Sequence, residues 1–123
     1  MEAIIKKILD KAEKDKDILA VALFGSSLKR KGRDIDICLF LKDKKSNLEM
    51  SRKRLSYSKF HDKIDIQIFQ QLPVYIRIQI LKQHKILLNK DISALYNIAF
   101  DTIREFGFYK KIYDLYLNNI KNG

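Results

Sequence analysis

Apolar and polar positions alternate along this chain in two rhythms. Over residues 3–16, Ile4, Ile5, Ile8, Leu9 and Ala12 recur at helical spacing with charges between them, which predicts an amphipathic helix. Residues 18–24 (ILAVALF) form an unbroken apolar run closed by Gly25, as expected of a buried strand. Ser26 and Ser27 can open a short helix, which Gly32 would break before a second strand over 34–41. Residues 42–47 read as a polar turn. Residues 47–60 read as a helix lying on the sheet, anchored by Leu48, Leu55 and Phe60. In KIDIQIF (63–69), Ile64, Ile66 and Ile68 share one face while Asp65, Gln67 and Phe69 share the other, which predicts a third strand.

Residues 74–83 satisfy both rhythms. Val74, Ile76, Ile78 and Ile80 alternate like a strand, but Pro73 suits the first turn of a helix. KILLN (85–89) reads as a short edge strand. From Asp91 or Ser93 to about Lys121, Ile92, Leu95, Tyr96, Ala99, Ile103, Phe106, Tyr113, Leu117 and Ile120 step by three or four. That is a long helix, with a kink or break allowed at Gly107.

The candidate chemistry lies in the second and third strands. Asp34 and Asp36 are two apart, so in a strand they share a face, roughly 7 Å apart along the backbone. Two carboxylates on an otherwise apolar strand repel each other and cost desolvation. A divalent cation offsets both effects, and hard cations favour carboxylate oxygens. Asp65 adds a third carboxylate on another strand. Three such groups can hold two Mg²⁺ ions about 3.5–4 Å apart, an arrangement suited to in-line phosphoryl transfer. Gly25 lets a backbone approach phosphate closely, and Ser26 adds a hydroxyl ahead of a helix start. His61 and His84 read as surface residues, since Mg²⁺ prefers oxygen.

FGS, seven residues, DID and a distal IDI strand together resemble the minimal nucleotidyltransferases of the DNA polymerase beta superfamily. The resemblance covers about the first ninety residues. It implies an α/β (α+β) fold with a small mixed sheet flanked by helices and a long C-terminal helix. It implies ATP as nucleotide donor, Mg²⁺ as cofactor and transfer to a hydroxyl. It carries Gly25 and Ser26 onto the triphosphate-binding turn and Asp34 and Asp36 onto the paired metal ligands. Asp65 matches the third carboxylate, which helps activate the attacking hydroxyl. Residues 1–90 would form the nucleotidyltransferase core, and 91–123 a helical extension packed on that core or on a partner, within a single domain overall. Small members of this family resemble MntA-type antitoxins, which add AMP to a tyrosine of a HEPN-family helical partner. An acceptor of RNA or a small hydroxylated molecule keeps the same site. A non-catalytic module that binds a toxin or RNA leaves the three clustered carboxylates without a purpose.

Composition adjusts this picture at a few points. Net charge is +10, which invites nucleotide, nucleic acid or an acidic partner. The lysines are spread along nearly every polar stretch, however, so charge alone does not assign a nucleic-acid function. Lys29, Arg30, Lys31 and Arg33 divide evenly between a solvated loop and a phosphate contact. Arg77 is placed either to reach a nucleotide or to pair with a local acid. The aromatic end, with Phe106, Phe108, Tyr109, Tyr113 and Tyr116, covers the core or meets a partner. Cys38, the one cysteine, excludes an internal disulfide and reads as a small buried hydrophobe. No apolar run approaches the roughly 20 residues of a membrane span and no signal-peptide pattern is present, so a cytoplasmic location is expected.

Overall fold

The computed structural model describes residues 2–25 and 35–122. Helix α1 (Glu2–Lys14) leads into strand β1 (Ile18–Phe24) and, past the undescribed residues, into β2 (Ile35–Leu41). Helix α2 (Asn47–Ser58), β3 (Ile64–Ile68), a 3₁₀ turn at Phe69–Gln71, α3 (Val74–Lys82), β4 (His84–Asn89) and α4 (Ile92–Asn122) follow. The four strands form one sheet in the order β3-β2-β1-β4. β1 runs antiparallel to both β2 and β4, whereas β2 and β3 are parallel. The parallel pair requires a crossover, and α2 supplies it.

The sheet is covered on both faces, so its central strands read as continuous apolar runs rather than as alternating ones. On one face α1 and α2 seat Ile8, Ala12, Met50 and Tyr57 against Val21, Ile37, Leu39, Ile66 and Ile68. On the other, α3 and α4 bring Ile80 and Leu95 onto Ala20, Ala22, Cys38, Phe40 and Phe69. The rings of Phe40 and Phe69 stack there at 4.5 Å. Cys38 is fully buried, and burial pushes its thiol well above the ordinary range.

Local signals place the helix ends. The Ser46 hydroxyl accepts the Glu49 amide at 3.2 Å to cap α2, and Asp91 accepts the Ala94 amide at 3.2 Å to cap α4. At the other end of α1 the Lys90 ammonium donates to the carbonyls of Ala12 and Asp15 at 2.7 and 2.8 Å. It adds a second donor to each of two carbonyls that already accept the Asp15 and Ile18 amides where the chain leaves the helix.

The helix that Pro73 favours is present, one open point is settled and one expectation changes. Residues 74–83 resolve as helix: α3 starts immediately after Pro73, and its ambiguous run buries Val74, Ile78 and Ile80. α4 runs without interruption through Gly107. In α2, Leu48 and Leu55 are not the anchors; they are 61% and 64% exposed. Met50 and Tyr57 replace them. Each pair is seven residues apart, so the helix offers two equivalent stripes. The sheet takes the one whose buried Tyr57 hydroxyl can donate to Asp15, at 2.9 Å. Phe60 packs against the same core as expected.

The start of α4 also seats on an unexpected side. Leu95 and Thr102 are buried and Ile98 packs with them, while Ile92, Tyr96 and Ile103 are exposed. Thr102 can enter the core because its hydroxyl donates to the Ile98 carbonyl, one turn back, at 2.8 Å.

Candidate active site

The register of three strands builds the site. Phe24 lies opposite Asp36 across the antiparallel β1–β2 pair, and Asp36 lies opposite Asp65 across the parallel β2–β3 pair. Directly opposed residues point to the same side of a sheet. The two carboxylates therefore share the face that also carries Cys38, Phe40, Gln67 and Phe69. Their strands are about 4.8 Å apart. The ladder is set at its start by the Ile35 amide, which donates to the Lys63 carbonyl at 2.8 Å.

Gly25 closes β1 with φ +65°, a left-handed conformation that other residues adopt only at a cost. A side chain here would also collide with its neighbour, because a Cβ on Gly25 would stand 2.8 Å from Oδ2 of Asp36. The missing side chain is what lets the turn lie directly on that carboxylate.

Asp65 stands on an edge strand with its side chain 49% exposed. The Gln67 amide, on the same face, donates to both of its oxygens at 3.2–3.3 Å. Arg54 reaches it from α2: its Nε donates to the Ile66 carbonyl at 2.7 Å, and its guanidinium lies 3.9 Å from Oδ1 of Asp65. Neither Gln67 nor Arg54 carries a signal in the sequence. Gln67 was legible only as a same-face neighbour of Asp65, and Arg54 belongs to a separate element.

Ser26 and Asp34 lie outside the described residues, as do Lys29, Arg30, Lys31 and Arg33. Among the described residues no group of three or more metal-ligating side chains assembles. The described part of the cluster is the Asp36–Asp65 pair. Its oxygen-only chemistry suits a hard cation such as Mg²⁺. His84 falls in the same row, opposite Phe24, but its Nδ1 is 2.9 Å from the Ile80 carbonyl and donates to it. Arg77 is committed elsewhere: it donates to the Leu72 carbonyl and to Glu105, both at 2.9 Å. Its Glu105 partner is held below the ordinary carboxylate range by that bond.

Residues 6–93 match the family described as Polymerase beta, Nucleotidyltransferase. The chain belongs to this family. It carries a nucleotidyltransferase domain, and the Gly25 turn with the aspartates of β2 and β3 falls inside the matched span. The domain is 36% identical over 79 residues to a putative protein adenylyltransferase of Methanocaldococcus jannaschii, covering 62% of this chain and 60% of that protein. The chain thus spans about 60% of the length of the curated relative it matches.

Solved structures of similar fold include a toxin–antitoxin complex MntA–HepT, with TM-score 0.68 at 16% identity over 98% of both chains. A toxin–antitoxin structure with AMP-PNP is similar, with TM-score 0.68 at 20% identity over 97% of both. So is the complex of a tri-AMPylated Shewanella oneidensis HEPN toxin with its MNT antitoxin, with TM-score 0.68 at 19% identity over 97% of this chain and 94% of that one. At these identities the likeness establishes a shared polymerase-beta-like fold. No helix of the described residues is long and apolar enough to cross a membrane.

Proposed function

We propose that this domain is a Mg²⁺-dependent nucleotidyltransferase that moves AMP from ATP onto a hydroxyl of a helical HEPN-family partner, as the antitoxin of a toxin–antitoxin pair. The observation that carries the reading is the row Gly25–Asp36–Asp65: a turn without a side chain lying on one carboxylate, with a second carboxylate in register beside it. Family membership gives that row its chemistry. The adenylyltransferase relative and the AMP-PNP and AMPylated complexes suggest the donor and the kind of acceptor.

Asp36 and Asp65, with Asp34 by its place in the sequence, would hold the magnesium. When bound, magnesium supplies positive charge to the triphosphate and the departing pyrophosphate. The protein's own groups do the rest. Gly25 and Ser26 admit the phosphate tail close to the backbone. Asp65, at the exposed edge, faces the acceptor: it orients the hydroxyl and takes up its proton. The acceptor oxygen bonds to the α-phosphorus as the bond from that phosphorus to the bridging oxygen breaks, releasing pyrophosphate. Gln67 and Arg54 hold Asp65 in place.

The far part of α4 suits a helical protein partner. Leu95, Ile98, Thr102, Phe106, Tyr109, Tyr113 and Tyr116 step by three or four along one side of the helix. The first three seat on the sheet, and the tyrosines continue the same side in phase but stand exposed. Three–four spacing is the pattern that packs against another helix. Net charge of +10 opposes pairing with a second copy and favours an acidic surface.

The test is transfer of label from α-³²P-ATP to the HEPN protein in the presence of Mg²⁺. Label should appear on the partner, vanish with EDTA, and fall by about 10²–10⁴-fold in Asp36→Asn and Asp65→Asn, the span expected for loss of such groups. Undiminished labelling by both variants would sink the proposed site. Label on RNA and not on protein would overturn the assignment of acceptor.

A further inference from the structure

The described residues leave a recess of about 240 Å³ beside the candidate site, lined by Phe24, Gly25, Ile76, Gln79, Ile80 and Gln83. We infer that it takes the nucleobase of the donor, with the side-chain amides of Gln79 and Gln83 selecting adenine. The inference rests on the nucleotidyltransferase reading above and adds to it the residues that choose the base.

Position is the first argument. Gly25 belongs to both places, since it touches Asp36 on one side and walls the recess on the other. A nucleotide whose phosphates lie against the Gly25 turn has this recess within reach of its ribose and base.

Chemistry is the second. A nucleobase has two apolar faces and a polar edge. The recess offers the Phe24 ring with Ile76 and the buried Ile80 for the faces. Gln79 and Gln83 stand for the edge. Residues 76, 79 and 80 are spaced i, i+3 and i+4, so one side of α3 presents them together, and Gln83 follows as the residue that caps the end of the helix. Neither glutamine side chain has a hydrogen-bond partner among the described residues, so both amides are available. An amide offers a donor and an acceptor side by side, which matches the amino group and ring nitrogen of adenine. Among the described residues its lining is uncharged, as suits a base.

The larger cavity makes a poor alternative. It measures about 520 Å³ and is lined by Lys42, Lys44, Arg77, Asp101 and Glu105, among others. Its lysines follow the end of β2 remote from Asp36, and its charges are of both signs and partly paired.

Calorimetry with Mg²⁺ separates base from phosphate. Wild-type protein and a Gln79→Ala/Gln83→Ala variant are each titrated with ATP, CTP and inorganic tripolyphosphate. Both glutamines are exposed, so the variant keeps its fold. Wild type should prefer ATP to CTP, and the variant should lose about tenfold or more in ATP affinity along with that preference, as for loss of a paired amide contact. Tripolyphosphate should bind both proteins equally. An unchanged ATP-to-CTP ratio in the variant overturns the base recess while tripolyphosphate binding leaves the phosphate site standing. Failure of wild type to bind either ATP or tripolyphosphate overturns the nucleotide site and the recess together.

Discussion

Gly25 shows how much one missing atom group can decide. Two constraints meet there, a positive φ and a carboxylate oxygen 2.8 Å from where a Cβ would stand. Either alone would favour glycine. Together they mean that Gly25→Ala must distort the turn or displace Asp36. The backbone strain is about 1–2 kcal/mol, small enough for the protein to fold. The expected result is a modest fall in thermal stability with a disproportionate loss of Mg²⁺–ATP affinity, read by calorimetry beside a thermal melt. Wild-type nucleotide affinity in this variant would mean that the turn does not serve the phosphate. The sequence marked Gly25 as a turn residue and Asp36 as half of a pair. That the two touch depends on the β1–β2 register, which a one-residue slip would abolish.

At the level of elements, α2 and α4 illustrate what periodicity leaves open. Both were legible as helices from spacing, and α4 also from a capping residue at its start. Which stripe faces inward was not. In α2 the choice between Leu48/Leu55 and Met50/Tyr57 turns on a hydroxyl finding Asp15 across the chain. In α4 one of the buried positions, Thr102, is invisible to a reading based on apolar residues. Once the seated side is known, the exposed tyrosines become interpretable, because they prolong a stripe that already packs. Tyr109 and Tyr113 stack on each other with rings 6.3 Å apart, one turn apart on that stripe. Replacing Tyr109, Tyr113 and Tyr116 together by Glu should abolish capture of the HEPN partner in size-exclusion chromatography. Stability should change by no more than about 0.5 kcal/mol, as for other exposed positions, and Mg²⁺–ATP binding should persist. Undisturbed complex formation would assign the partner contact to another surface.

For the whole molecule, a small polar knot ties together pieces distant in sequence. Asp15 accepts from the Lys53 ammonium at 2.9–3.0 Å, the Tyr57 hydroxyl at 2.9 Å and the Asp17 amide at 3.1 Å. Lys53 also meets Asp17 at 3.0 Å. Burial pushes the Asp15 carboxyl upward, but the Lys53, Asp17 and Tyr57 bonds outweigh it and hold the group below its ordinary value. A carboxyl depressed in the folded state stabilises the fold above its unfolded pKa, near 4. That stabilisation is lost as pH falls through the lower, folded value. Thermal melts from pH 7 down to 2.5 should therefore drop steeply below about pH 4. Asp15→Asn should be less stable at pH 7 by about 1–3 kcal/mol, the cost of weakening bonds to a buried hydroxyl and an ammonium. Its melts should also depend less on pH in the acid range. Parallel curves for the two proteins would place the acid sensitivity elsewhere.

The sequence by itself determined most of the described strands and helices and the side of the strand that Asp36 and Asp65 each take. Those properties follow from 2.0 and 3.6 residue periods that operate within a few neighbouring residues. The motif spacing was enough to suggest the family. Only the tertiary structure decided the register that sets Asp36 against Asp65, the meeting of Gly25 with Asp36, the approach of Arg54 and Gln67 to Asp65, and the seating of α2 and α4. These are matches between distant segments. Several arrangements satisfy the local pattern equally well, and the choice rests on which one pairs every buried polar group and fills the space between sheet and helices.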